Sequence, residues 1–282
     1  MALAIVAAPL LAATAQGGAR QTGDVQTGGA ASPAPRRIVS LNLCADQYLL
    51  ALADRDQIAG LTHNADKPDM SAAADRARGL RILDQSAEEI LAIDPDLVVG
   101  KSVRRSAVMR VLRNRNYRTL DLQTADSFAD IVTQIRSVAA ATGHAARGEA
   151  LIAGMERDLA ALPRPGRGRV AAYYQRRGFL TGTGTLIDDQ MQRAGLVNLA
   201  HKLGKAPLSR LSIEELVAAR PDFIIIESAT AKVMDQGTEM LHHPALRDIP
   251  RIALPQAWTV CGGPAYVRAA QSLAGQISAH TR

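Results

Sequence analysis

Apolar positions along the chain fall into short β-branched runs separated by stretches with helical periodicity, an alternation that predicts an α/β protein. The first run, Arg37-Ile38-Val39-Ser40-Leu41, predicts a strand feeding a helix that carries Tyr48, Leu49, Leu50 and Leu52, with Asn42 at the turn between them. Further strands are expected over Ile58–Thr62, Leu97–Val99 and Arg118–Leu122. The first two of these deliver the polar segments His63–Pro68 and Gly100–Arg105, and loops that follow strands are where open parallel sheets bind ligands. From Ser127 the pattern becomes helical, breaks at Thr142-Gly143 and resumes over 144–162, where Leu151, Met155, Leu159 and Leu162 share one face. At 1.5 Å per residue that second stretch reaches about 28 Å, enough to join two lobes by one stiff helix. After the turn Pro163–Gly166 the alternation restarts. It gives a strand at Arg169–Tyr174, the polar run Gln175-Arg176-Arg177-Gly178, a helix through Ile187, Met191 and Ala194, and strands at Phe223–Ile226 and Ile252–Leu254. The last strand delivers Trp258–Pro264 into a terminal helix.

One unit occurs twice. Ser86-Ala87-Glu88-Glu89-Ile90-Leu91 through Pro95-Asp96-Leu97-Val98-Val99 returns, at a constant offset of 126, as Ser212-Ile213-Glu214-Glu215-Leu216-Val217 through Pro221-Asp222-Phe223-Ile224-Ile225. Each copy reads as a helix opened by a Ser N-cap, closed by a Pro-Asp turn and followed by a buried strand. The repeat predicts two Rossmann-like α/β lobes with central parallel sheets, joined by one long backbone helix. The divisions are a leader and flexible tether over 1–36, an N-terminal lobe over 37–142, the connecting helix over 143–163 and a C-terminal lobe over 164–282.

Composition narrows the function. Hydrophobic residues make up 47% of the 282 positions, but with three Phe, one Trp and five Tyr the cores must be built from aliphatic side chains. The formal net charge of +6 is spread along the chain, with no aromatic-interleaved basic run or nucleic-acid module, so it points to an anionic small molecule rather than nucleic acid. No G-x-S-x-G elbow, P-loop, H-E-x-x-H or dinucleotide fingerprint is present, so no enzyme is predicted. Met1–Ala15 is apolar, too short to span a bilayer, and ends in Ala13-Thr14-Ala15, a signal-peptidase-like pattern, although no basic residue precedes the apolar stretch. Gln16–Pro35 reads as a tether. Cys44 and Cys261 fit neither a zinc knuckle nor a disulfide-dense scaffold. They lie near strand ends on opposite lobes; free, partly buried thiols are the expectation, and a cross-lobe disulfide is the alternative.

The opening strand and helix, the two Glu-containing Pro-Asp units, the Gly182-Thr183-Gly184 turn before a helix ending in Ala194–Asn198, and the late Trp258 follow a recognisable order over residues 37–280. Together they resemble the periplasmic substrate-binding proteins that deliver cobalamin, haem and ferric siderophores to ABC importers. The resemblance implies a periplasmic, monomeric, non-catalytic receptor with no cofactor of its own. Its ligand would be a metal chelate held between the lobes, a ferric siderophore first, then haem or a corrinoid. It also implies docking of one surface Glu on each lobe to Arg residues of an ABC permease dimer, and the matching positions are Glu88 and Glu214. In each repeat the neighbouring Glu89 or Glu215 completes an S-x-x-E capping box, which leaves the first Glu of each pair without a structural task.

The loops expected to face the cleft carry Asn42, His63, Asn64, Lys101, Arg104, Arg105, Tyr174, Arg176, Arg177 and Trp258. Cations from both lobes would suit ligand carboxylates, and Tyr174 and Trp258 would offer flat faces to a macrocycle. A receptor binding bare zinc or manganese is the alternative; His63 follows a strand, but His201, His242 and His243 lie on segments with no evident route to the cleft.

Overall fold

The structure, a computed structural model, describes residues 33–280, so the signal-like leader and most of the expected tether lie outside the described residues. The first half folds as the alternation requires. Strands β1 (Ile38–Ser40), β2 (Ile58–Thr62), β3 (Ile82–Leu83), β4 (Leu97–Gly100) and β5 (Thr119–Asp121) form a wholly parallel sheet in the order β3-β2-β1-β4-β5. The helices between them are α1 (Leu43–Leu52), α2 (Ala74–Ala77), α3 (Ala87–Ile93) and α4 (Ala107–Val111). Strand order reverses beside β1, so β1 and β4 leave a crevice beyond their carboxyl ends. Asn42 and Lys101 immediately follow these two strands.

Two antiparallel helices then carry the chain across. α5 (Phe128–Thr142) ends at Gly143, whose φ of +86° gives the left-handed cap that reverses the chain into α6 (Ala145–Ala160). α6 is 16 residues long, about 24 Å, somewhat shorter than the periodicity implied. Its buried face, Ile152, Met155 and Leu159, packs into the first lobe's core, so the connector is a packed element rather than a bare rod.

The second half contains β6 (Val170–Tyr174), β7 (Phe179–Thr181), β8 (Val197–Asn198), β9 (Leu208–Arg210), β10 (Phe223–Glu227) and β11 (Arg251–Leu254). Its helices are α7 (Leu186–Arg193), α8 (Leu199–Lys202), α9 (Ile213–Ala219), α10 (Gln236–Glu239), α11 (Gln256–Thr259) and α12 (Tyr266–Ala279). The sheet order is β11-β10-β6-β7-β9, with β8 beside β6. This sheet is mixed rather than parallel throughout: β7 runs antiparallel to both β6 and β9. The reason is local. Gln175 N–H donates to the Phe179 carbonyl (2.7 Å) around a tight turn at Gly178, so the chain doubles back as a hairpin instead of crossing over. Among the described residues no helix is long and apolar enough to cross a membrane.

The repeat is structural as well as sequential. Ser86 and Ser212 both cap their helices with a complete capping box closed by Glu89 and Glu215. Asp94 and Arg220 end them in the left-handed conformation. The Pro-Asp carboxylate has a further task in each lobe. Asp96 accepts from the backbone N–H of Arg36 and Arg37 (2.8 and 2.9 Å), and Asp222 accepts from Val170 N–H (2.7 Å), so each aspartate pins the start of its lobe's first strand. Replacing either by Ala strands these donors and is expected to cost about 1–2 kcal/mol. Urea titration of Asp96→Ala and Asp222→Ala checks this, and an unchanged midpoint in both variants would refute the clamp.

Candidate functional site

The two sheets turn their carboxyl ends toward one gap, and a cavity of about 370 Å³ opens there, lined by both lobes. The first lobe contributes Asn42, Cys44, Tyr48, Lys101 and the segment Leu122–Asp126, with Gln134 behind it. The second contributes Tyr173, Gln175, Thr181, Thr185–Ile187, Glu227, Gln256 and Thr259–Gly262.

Cys44 and Cys261 form a disulfide in this wall, with Cα atoms 5.4 Å apart. This corrects the expectation of free thiols. Cys44 opens α1 and Cys261 follows α11, so the loops leaving β1 and β11 converge on one point, a proximity that cysteine spacing of 217 residues does not reveal. Tyr48, one turn along α1, donates its hydroxyl to the Gly262 carbonyl (2.7 Å), adding a second tie across the lobes. At Gly262 a side chain has no room, since a Cβ would stand 2.4 Å from the Ala125 carbonyl oxygen.

A second junction lies beside the cleft. Phe128 at the start of α5 donates its N–H to Asp189 on α7 (3.3 Å), and the Tyr266 hydroxyl at the start of α12 donates to the same carboxylate. The Arg193 guanidinium stands 5.5 and 5.8 Å from the ring centres of Phe128 and Tyr266. α12 itself contributes Tyr266, Val267 and Ala270 to the first lobe's core, and Leu273 and Ile277 to the second's.

The wall of the cavity is rich in amides and hydroxyls and poor in charge, with one basic residue, Lys101, against Asp126 and Glu227. Lys101 donates to the Thr124 hydroxyl (2.8 Å) and Gln175 to the Thr181 hydroxyl (2.6 Å). Gln134 donates to the Gln123 carbonyl (2.6 Å), but its own Oε1 is buried without a partner. Tyr48 and Tyr173 titrate well above the ordinary phenol value, chiefly because burial disfavours the phenolate, so both stand as neutral hydroxyls.

Burial likewise lifts Glu227 above its ordinary value of 4.5, against the pull of the Arg176 charge. Its contribution to stability is therefore largest below that value and is lost as pH rises through the folded-state pKa. Glu227→Gln, uncharged throughout, escapes that loss. The variant is expected to match the wild type near pH 4 and to melt at higher temperature at pH 7; a constant difference across that range would contradict the assignment.

Of the residues expected in the cleft, Asn42 and Lys101 line the cavity. Asn42 also caps α1, its Oδ1 accepting from Ala45 N–H (2.8 Å). Tyr174 is fully buried on the opposite face of β6 and donates to the Leu211 carbonyl (2.7 Å); strand alternation puts Tyr173 in the cavity instead. Arg104, Arg105, Arg176 and Arg177 are exposed and stand outside the cavity wall, with Arg176 paired to Asp235. The expected ring of cations is therefore absent from this wall. His63 and Asn64 sit in the turn after β2, outside the lining, and Trp258 is half-buried on α11 while its neighbours Gln256 and Thr259 face the cavity. Among the described residues no group of three or more His, Cys, Asp or Glu could hold a metal ion, which counts against the zinc or manganese alternative.

Glu88 and Glu214 are exposed at the second residues of α3 and α9. Both helices follow strands that run in the same sense as the central strand of their sheet, so both start at the cleft-facing end of their lobe.

Comparison with known proteins places this geometry. The chain is 25% identical over 217 residues to a cobalamin-binding protein of Halobacterium salinarum, an alignment covering 75% of this chain and 58% of that protein's length. It is 24% identical over 260 residues to a vitamin B12-binding protein of Pectobacterium carotovorum, covering 89% of this chain and 91% of the relative. A periplasmic heme-binding protein from Roseiflexus sp. RS-1, in its apo form, superposes with a TM-score of 0.69 at 26% identity, covering 88% of this chain and 99% of the other. The family model for periplasmic binding proteins matches residues 38–253, and the chain belongs to that family.

Proposed function

We propose that this protein is the exported, non-catalytic receptor of an ABC importer and that it captures a corrinoid-type metal chelate in the cleft between its lobes. The observation that carries the ligand class is the unpartnered Gln134 Oε1 in a wall of side-chain amides. A buried acceptor left alone costs free energy that a ligand N–H would recover. The rim of a corrinoid bears amide groups, which supply such donors and accept from Asn42, Gln175 and Gln256 in return. Haem propionates and ferric siderophore anions offer acceptors instead, and they would enter a wall with more acidic than basic residues. The two cobalamin- and B12-binding relatives support the same reading.

Delivery would follow from the repeat. Glu88 and Glu214 occupy equivalent places on the two lobes, as a permease with two like subunits requires of its receptor. Loaded protein, with the lobes drawn together on the chelate, would present the pair at the spacing that docks best.

Isothermal titration calorimetry with cyanocobalamin, hemin and ferric siderophores of several types tests the ligand class. One-to-one binding of cyanocobalamin, weakened about tenfold in Gln134→Leu, is expected. Binding of hemin or a siderophore alone would overturn the corrinoid assignment while keeping the receptor reading.

A further inference from the structure

Behind the disulfide loop lies a second cavity, of about 580 Å³, larger than the one in the cleft and separate from it. α1 divides the two. Cys44 and Tyr48, four residues apart, face the cleft, while Gln47 and Ala51, on an adjacent face of the same helix, line the second cavity. Its other walls are the segment around Arg76, the start of α6 with Arg147, and the start of α12 with Ala265 and Arg268.

Three features of this cavity share one sign. Gln47 is 3% exposed, and its amide Nε2 is buried with no hydrogen-bond partner. Three guanidinium groups line the wall against a single carboxylate, Asp75, which is itself paired with Arg78. Arg147 is engaged by Asp54 and the Leu52 carbonyl, but Arg76 and Arg268 make only long contacts of 3.4 Å to the carbonyls of Leu50 and Ala72. Finally, α12 is 14 residues long and no side chain caps its start at Ala265, which lines the cavity, so the positive end of its dipole lies there; of its first N–H groups, that of Tyr266 donates to the Gly263 carbonyl (3.0 Å). A buried donor, two weakly engaged cations and a helix start without a side-chain cap all ask for the same occupant.

We infer that this second cavity is a binding site for a small multivalent oxyanion, a phosphate ester or a polycarboxylate, held by Gln47, Arg76, Arg268 and the first turn of α12. Guanidinium groups bind either chemistry through paired hydrogen bonds. The site is independent of the ligand in the cleft. It is assembled from both lobes, since α1 belongs to the first and α12 packs into both.

Calorimetric titration of the whole protein with sodium pyrophosphate and with citrate, at fixed ionic strength, tests the inference. One saturable site for at least one of them is expected, and the anion that binds identifies the source of the charge. Arg268→Gln, at an exposed position, is expected to weaken binding about tenfold or more, and Gln47→Leu to weaken it as well. Absence of saturable binding to both anions would overturn the site. So would an affinity unchanged in Arg268→Gln, or binding lost in Lys101→Gln, which would place the anion in the cleft.

Discussion

Loss of the Cys44–Cys261 bridge is expected to lower the stability of the protein by about 3–5 kcal/mol. The bridge closes a loop whose ends are 217 residues apart, nearly the whole described chain. A cross-link of that span removes more freedom from the unfolded chain than a short one, and loop-closure entropy puts the ceiling near about 5 kcal/mol. The bridge also stands in the cleft wall, and its loss leaves the Tyr48–Gly262 hydrogen bond as the tie between the lobes on that side. Unfolding by urea, with and without reductant and in the Cys44→Ala, Cys261→Ala double variant, measures the effect. The reduced and double-variant proteins should agree with each other and fall several kcal/mol below the oxidised form. A difference under about 1 kcal/mol would mean that α12, the Phe128–Asp189–Tyr266 junction and the Tyr48–Gly262 hydrogen bond hold the lobes together without the bridge. In the same samples, ligand affinity is expected to fall less than stability, because Asn42, Gln134 and Gln256 are positioned by strands and helices within each lobe.

Most of the frame that positions the cleft was legible in the sequence because it rests on local rules. The Ser86 and Ser212 caps, the Pro-Asp turns and the strands after them depend on interactions within a few residues, and each copy repeats them. Asn42 and Lys101 reach the cavity wall for a similarly local reason: each follows a strand at the point where sheet order reverses. What escaped depends on which way a side chain turns. Tyr173 and Tyr174 are neighbours of the same type, and only the placement of the two sheets decides that Tyr173 faces the cleft and Tyr174 the core. Arginines in loops after strands have long stems and seek water or a carboxylate, so Arg104 and Arg176 are exposed outside the cavity wall, Arg176 paired with Asp235. Gln134 lies mid-helix, where nothing in the local pattern separates a cavity-lining amide from a surface one. The antiparallel β7 was missed because the turn at Gly178 reads equally as a crossover loop until the hydrogen bond from Gln175 to Phe179 is seen. The disulfide required knowledge of two strand ends 217 residues apart.

Reversing both charges of the proposed docking pair, Glu88→Lys together with Glu214→Lys, is expected to abolish uptake while leaving ligand affinity within about twofold. The two glutamates are exposed, and neither closes a capping box, since Glu89 and Glu215 do that. Local structure therefore loses little beyond a favourable charge at each helix start. Neither residue lines the cleft, so the chelate should bind as before. The partner is where the loss falls. Opposed charges guide the encounter, and reversing one turns attraction into repulsion, slowing association by about tenfold or more at low salt. Two reversals, one on each lobe, should compound the effect, and single variants should fall between. Uptake assayed in proteoliposomes carrying the permease, alongside calorimetry on the free receptor, separates the possibilities. Wild-type transport should weaken with added salt if the proposed charge pairing guides the encounter. A variant that transports normally would remove Glu88 and Glu214 from the interface, and one that no longer binds ligand would show that their role lies in the receptor itself.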